Sequence, residues 1–573
     1  MNVCELFNRS LACHAARVAL VEGVGKQRRA VSYAALDGMV NSAAAELRKA
    51  GLLPGDRVLL AVPMSIETYA VMLALLRCGM VTMVIDPAHG AANVARILRA
   101  WPPSAVVATG SLLLFRFLVP ELRRIPRRFV VGKAAAGARR LSFADAATPR
   151  EETIQRAAAD SALLTFTSGS TGEPKPVVRT HGFLRHQLDA LKPVARNKPR
   201  DIDFVAMPMF VLFNLANGIT SILPACDMKH PGRANARIIA GQLAAEGATR
   251  MVASPALLDR LATWCRRQRI RFPALSTVST GGGPISPDLP AQVKRIAPAA
   301  TVRMVYGSTE AEPIACIDDQ DVSVTAIARM RGGAGLLAGQ PVADCDVCIV
   351  ETDGNAPLRP MTGSEFAGRR KRQGQVGEIL VRGRHVLTTY ADRSHNRATK
   401  VQVDDQVWHR TGDAGYFDAA GRLWLVGRLS AAITDDRGCV YPFQVEYALS
   451  GIPGIRRSAL IQRGGQRVLV LEVSGREFQS RCAAAAGCIS RHHIDRIITV
   501  RHIPVDRRHD AKVDYGRLQR ILDGRWPRTR LWLAETVSAV FRRVRGGWRR
   551  LAASCHSPDA RTKVGRWPMK TER

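Results

Sequence analysis

No stretch of this chain stays apolar for the roughly 20 residues needed to span a bilayer. The start, "MNVCELFNRSLACHAARVALVEG", also lacks the basic lead and unbroken apolar centre of a secretory signal. From these two absences we expect a cytoplasmic protein. A disulfide framework is missing as well, since the 12 cysteines are scattered, which suits a reducing compartment. Cys345 and Cys348 in "ADCDVCIV" have the spacing of a metal half-site. No second pair lies near them and the surrounding run is strand-like, so we assign them to packing. There is no internal repeat. Acidic residues are in short supply, 49 against 83 Lys and Arg, for a formal charge of +34. That excess suits acidic partners such as nucleotides, carboxylates, nucleic acid or an anionic membrane surface. An arginine-biased composition accounts for it equally well.

What is present is enough for two or more domains: 573 residues, 46% of them hydrophobic. The first part alternates helix and strand. "SYAALDGMVNSAAAELRKAG" and "IETYAVMLALLRCG" have helical spacing, and "DRVLLAVP" and "VTMVID" are short buried strands. Strand runs ending in Gly, Ser or Thr continue through "AVVATG", "SALLTFTSGSTG", "MVAS", "LSTVSTGGG" and "TVRMVYGSTE". Such alternation implies parallel strands with helices on their faces, and ligands collect beyond the carboxyl ends of such strands. After residue 340 the texture becomes short strands with Gly and Asp turns. Beyond Arg428, "FQVEYALSGIPGIRRSALIQRGGQRVLVLEV" reads as helix, strand, turn and strand, a small α+β domain.

Residues 165 to 182, "TFTSGSTGEPKPVVRTHG", gather hydroxyls, glycines and a lysine. We read "SALLTF" as the strand before a loop, "TSGSTGEPKP" as the loop, and "VRTHG" as the entry to a helix. It is not a Walker A loop, because Pro174 precedes Lys175 and Pro176 follows it. The physics is similar: Gly169 and Gly172 let backbone approach an anion, Ser168, Ser170 and Thr171 donate hydrogen bonds, and Lys175 adds charge.

This loop resembles the TSGSTGxPK phosphate loop of the adenylate-forming superfamily of acyl-CoA synthetases, peptide-synthetase adenylation domains and luciferases. "TGGGP" at 280, "YGSTEAEP" at 306, "GEILVRG" at 377, "WHRTGDAGYFDAAGRLWLVGR" at 408 and "RRHDAKVDYGRL" at 507 follow in the family's order. The resemblance implies a large N-terminal α/β domain with parallel-rich sheets flanked by helices plus a β-rich subdomain, residues 1–428. A small mobile α+β domain, 429–524, and a basic tail, 525–573, follow. It further implies that a carboxylate attacks the α-phosphorus of ATP in the presence of Mg²⁺, leaving an acyl-adenylate and pyrophosphate. Thr167, Ser168, Gly169, Ser170, Thr171 and Gly172 with Lys175 would hold phosphate. Thr309 would bind the α-phosphate and Glu310 the Mg²⁺. Tyr306 and Gly281, Gly282 and Gly283 would flank adenine. Asp413 would take the ribose hydroxyls, Arg428 the ribose and phosphate, and Lys512 would be carried to the reacting carboxylate.

Two departures from the family stand out. Where many acyl-CoA synthetases have "PLFH", with its histidine beside the substrate carboxylate, this chain has "PMFV", so Phe210 and Val211 become the substrate-pocket candidates. Past the Gly-Arg boundary, Ser430 and Thr434 replace the usual hinge and thioester-loop residues. These features, with "MPMFVLFNLANG", resemble the olefin β-lactone synthetase branch, in which a β-hydroxy acid is adenylated and its own hydroxyl closes the ring. The expected substrate is therefore a fatty or β-hydroxy acid. A fatty acyl-CoA or carrier-protein ligase is the alternative, and a non-catalytic membrane-associated protein of the same fold the rival of another class. The tail segment "LWLAETVSAVFRRVRGGWRRL" mixes Leu, Trp, Val and Phe with arginines, as a peripheral membrane or protein contact would. No nucleic-acid fold signature accompanies the charge, so nucleic acid is not an expected partner.

Overall fold

The computed structural model describes residues 2–86, 89–113, 117, 119–143, 151–168, 174–351, 354, 356–473, 489, 492–506 and 511–524. The glycine-rich centre of the phosphate loop, Gly169, Ser170, Thr171 and Gly172, and the tail from 525 onward lie outside them, as does the side chain of Ser168.

The alternating first part builds a seven-stranded sheet. Its strands run in the order Arg139–Arg140, Arg127–Val131, Ala105–Thr109, Arg57–Ala61, Val81–Val84, Ser161–Ser168 and Pro174–Thr180, all parallel but the last pair. Helix Ile66–Arg77 starts where the Ser65 side chain accepts the Thr68 N–H and is buried at every residue but Glu67. Its apolar residues face all directions, which is the pattern of a helix inside a protein rather than on it. Arg77 is tolerated there because its guanidinium donates to Asp37 at 2.5 Å, to Asn8 at 3.0 Å and to Asn41.

Here the structure corrects one expectation. The stretch "PKPVVRT" is a strand, not loop and helix entry, and it pairs antiparallel with Ser161–Ser168 so that Thr167 faces Lys175. Pro174 and Pro176 fit because the strand is the sheet's edge, where a missing N–H costs no ladder bond. The Pro176 carbonyl points outward, accepting from Ala391.

A second sheet of 14 strands changes character along its width. Strands Thr301–Ser308, Thr277–Gly281, Arg250–Ala253, Ile202–Val205, Thr220–Ile222 and Val18–Glu22 pair in parallel. On the other side of Thr301–Ser308, strands Ala311–Asp318, Leu336–Pro341, Leu423–Arg428, Gln406–Phe417, Gly377–Arg382 and Asp346–Val350 pair antiparallel. Cys345 and Cys348 pack into two different apolar clusters of that half, and both thiols are raised by burial. Among the described residues no His, Cys, Asp and Glu cluster could cage a metal.

The small α+β part has strands Ile455–Arg463 and Gln466–Val473 joined by Gly464 and Gly465, whose φ values of 56° and 74° suit a two-residue hairpin turn. Strand Arg496–Val500 adds in parallel, and separate apolar clusters cover the two faces of this sheet. No helix among the described residues is long and apolar enough to cross a membrane.

Candidate active site

Residues 107 positions apart meet where the parallel and antiparallel halves of the large sheet join, as the Tyr306 hydroxyl donates to Asp413 Oδ2 at 2.7 Å. Asp413 sits opposite Arg428 in the ladder between Gln406–Phe417 and Leu423–Arg428, so register alone brings the charges together. Arg428 Nε lies 3.0 Å from Asp413 Oδ1, and Nη1 donates to the Thr411 carbonyl at 2.8 Å. Attraction to Asp413 raises the Arg428 guanidinium further. Burial and the Asp413 carboxylate push the Tyr306 hydroxyl well above its ordinary range, so it remains a donor.

Beside this trio lies a cavity of about 700 Å³, walled by Tyr306, Asp413 and Arg428 of the large sheet, by Gly282 and Gly283 just past the end of strand Thr277–Gly281, and by Lys512 of the small part. Gly282 has φ of 76°, which favours glycine. Gly283 is required for another reason: a Cβ there would lie 2.7 Å from the Ala511 Cβ, next to Lys512. Gly281 ends its strand and does not reach the cavity wall.

Thr309 and Glu310 form the turn between strands Thr301–Ser308 and Ala311–Asp318. The Thr309 carbonyl accepts from Arg179 at 3.2 Å. Glu310 Oε1 accepts the Tyr390 hydroxyl at 2.7 Å. Burial works to raise the Glu310 carboxyl, but His409, the Tyr390 hydroxyl and Lys400 outweigh it, leaving it below its usual value and ionised at neutral pH. Behind Tyr390, Lys400 Nζ contacts the Leu387 carbonyl and, at 3.0 Å, His409 Nδ1. Burial lowers Lys400 to about 7 and His409 to about 3. Lys175 Nζ lies 5.9 Å from the Tyr390 ring centroid, and its own pKa is lowered by burial against the pull of Glu310.

The two substrate-pocket candidates are not brought to this cavity. Val211 is fully buried in the core packed around helix Met209–Ala216, and Phe210 lines a separate apolar cavity of about 50 Å³ with Phe7, Leu184 and Glu312. Successive helix residues point about 100° apart, so neighbours in "PMFV" diverge. Tyr390 and Lys400 carry no sequence signal, since they sit in the link between "GEILVRG" and "WHRTGD"; His409 falls within the latter motif but no role is read for it there, and what marks the three is their placement around Glu310.

The profile of the AMP-binding enzyme family matches residues 7–391. An olefin beta-lactone synthetase of Xanthomonas campestris pv. campestris is 32% identical over 515 residues, covering 85% of this chain and 90% of that one. The chain belongs to the AMP-binding enzyme family. A long-chain-fatty-acid–CoA ligase of Mycobacterium tuberculosis is 26% identical, with 75% of this chain and 80% of that one covered. The amide bond synthetase McbA of Marinactinospora thermotolerans superposes with a TM-score of 0.74 at 22% identity, over 91% of this chain and 99% of that one. The two-domain α/β architecture of this AMP-binding enzyme is thus that of adenylate-forming proteins.

Whether the residues fit a magnesium ion can be judged from Glu310. Tyr390 occupies only its Oε1, and an ionised carboxylate oxygen is the hard donor that Mg²⁺ prefers. One carboxylate suits an ion held mainly by phosphates and water rather than by a protein cage.

Proposed function

We propose that this enzyme activates a fatty or β-hydroxy carboxylic acid with ATP, forming an acyl-adenylate and releasing pyrophosphate, and that the β-hydroxyl then closes a β-lactone with loss of AMP. The observation that carries the reading is the single cavity shared by Tyr306, Asp413 and Arg428 on one side and Lys512 on the other. A carboxylate approaching a triphosphate is opposed by charge, so the barrier falls when fixed cations and donors face the developing charge. Asp413 can accept both ribose hydroxyls, Tyr306 with Gly282 and Gly283 flank the base, and Arg428 reaches ribose and phosphate. Lys175, on strand Pro174–Thr180, and Lys512 supply positive charge at the phosphates and the carboxylate, and Thr309 a hydroxyl. Glu310, steadied by Tyr390, would hold Mg²⁺, which neutralises phosphate charge when bound. In the second step the substrate hydroxyl oxygen bonds to the acyl carbon, the bond to the phosphate oxygen breaks, AMP leaves and the hydroxyl proton is released.

Ser430 and Thr434, which replace the usual thioester-loop residues, favour an internal hydroxyl over CoA as acceptor. The likeness to the mycobacterial ligase keeps acyl-CoA synthesis as the second reading. Mass spectrometry of products from ATP, Mg²⁺ and a panel of acids, with and without CoA, tests both. β-Lactone and AMP from β-hydroxy acids without CoA are the expected products. Acyl-CoA from simple fatty acids, with no lactone from β-hydroxy acids, would replace lactone closure by ligation, and no acid-dependent pyrophosphate at all would remove adenylation.

A further inference from the structure

Among the polar side chains of the cavity wall that the proposed chemistry leaves unused, Glu446 is a deeply buried carboxylate. Glu446 ends the short helix Pro442–Glu446, is only 7% exposed, and lines the cavity together with Lys512 and Tyr515. Its two oxygens differ. Oε1 accepts the Leu460 N–H at 2.9 Å and the Tyr515 hydroxyl at 2.8 Å, whereas Oε2 takes no hydrogen bond from any described residue. Many of the side chains that line the cavity are apolar, among them Ile285, Met330, Leu337 and Phe443. A carboxylate oxygen withdrawn into such surroundings is costly unless a donor completes it. Pockets for one small ligand begin at roughly 300 Å³, so a cavity of about 700 Å³ has room for a second reactant beside a nucleotide.

We propose that Glu446 Oε2 accepts a hydrogen bond from a hydroxyl on the acid substrate, and that this carboxylate is what distinguishes hydroxy acids from their deoxy counterparts. The inference rests on the adenylation reading above. Burial raises the Glu446 carboxyl to about 7; above that pH it is ionised and can only accept, so the group it selects must donate, and a site built around such a bond disfavours an analogue that leaves the acceptor unpaired. The main chain of Leu460 and the phenol of Tyr515 fix the carboxylate through its other oxygen, so it need not reorganise to bind. Lys512, three residues before Tyr515 and the helix it begins, lines the same cavity. A carboxylic acid that meets Lys512 at one end therefore has an acceptor available for a donor elsewhere on its chain.

The test compares pyrophosphate release, as kcat/KM, for a 3-hydroxy fatty acid, its 3-deoxy counterpart and its 3-O-methyl ether, using the full-length enzyme and its Glu446→Gln variant. The parent enzyme should prefer the hydroxy acid on the order of 10- to 100-fold. The ether, which keeps the oxygen but cannot donate, should fare no better than the deoxy acid. In Glu446→Gln the amide oxygen can still serve Leu460 and Tyr515 while an NH₂ replaces the acceptor, and the preference should collapse toward unity. The ether arm needs no mutant, so it stands even if the variant folds poorly. Three results would overturn the proposal: no preference in the parent, an ether as good as the hydroxy acid, or a preference that survives in Glu446→Gln. If the variant instead raises KM for ATP with acid preference intact, the carboxylate serves the adenine amine. Absence of pyrophosphate with every acid would defeat the adenylation reading itself.

Discussion

Replacing Gly283 by alanine asks whether the approach of the small domain sets the rate. The added Cβ would fall 2.7 Å from the Ala511 Cβ, whereas carbons in contact normally sit about 3.5 to 4.0 Å apart. Residue 511 must therefore retreat by about 1 Å, taking Lys512 with it. A misplacement of about 1 Å can cost on the order of 100-fold in rate, equivalent to about 2.7 kcal/mol. Among the described residues, Ala511 supplies the one contact that the new methyl would make beyond its chain neighbours, and neither Tyr306 nor Asp413 is met. Pyrophosphate release by Gly283→Ala should thus fall by that order while ATP binding, followed by calorimetry, changes little. Combining it with Ala511→Gly removes the obstructing carbon and should restore most of the loss. A Gly283→Ala enzyme as fast as the parent, or a double variant no faster than the single, would refute the reasoning.

Lys512→Ala should slow acyl-adenylate formation on the order of 100-fold with ATP affinity by calorimetry nearly kept; parallel losses in both would mean Lys512 serves nucleotide binding. Glu310→Ala should slow pyrophosphate release on the order of 100- to 1,000-fold and raise the Mg²⁺ needed for half-maximal rate, and an unchanged Mg²⁺ titration would remove Glu310 from the metal site. Arg410 and Glu378 form a buried pair at 2.7 Å, so Arg410→Met, which strands the carboxylate, should cost about 3 to 5 kcal/mol in denaturant unfolding; a loss below 1 kcal/mol would contradict it. Burial lowers His181, which accepts the Val3 N–H at 3.1 Å, to about 4, while an unfolded histidine titrates near about 6.5. The unfolded chain therefore takes up the proton first as pH falls, and a contribution on the order of 3 kcal/mol, full above about pH 6.5, should be lost between about 6.5 and 4. Equal pH slopes for the parent and His181→Gln would sink that account.

Much of the fold was legible because short apolar runs alternating with helical spacing can bury both faces of a parallel sheet in few other ways. The strand Pro174–Thr180 was not, since two prolines in a polar run look like a loop until the strand is known to be an edge. Tyr306, Asp413 and Arg428 could be named only through motif resemblance; what joins them is a ladder register and a 107-residue separation that no local pattern encodes. Tyr390, Lys400 and Glu446 stayed hidden for a simpler reason. Each is a lone residue whose chemistry comes entirely from what packs around it. Val211 shows the converse, a position singled out by the motif it departs from, yet turned into the core by the helix that carries it.

The enclosed helix Ile66–Arg77 offers an internal reference for hydrogen exchange. With every residue but Glu67 buried, its central amides should be reached by deuterium only through the largest openings of the surrounding fold. Helix Tyr515–Leu522 buries only Leu518 and Leu522 and sits at the margin of the small sheet, so its amides should exchange through smaller openings. The protection factor of the second helix gives the free energy by which the part bearing Lys512 loosens, and its gap from the first, read on one sample, says how far that loosening falls short of opening the rest of the enzyme.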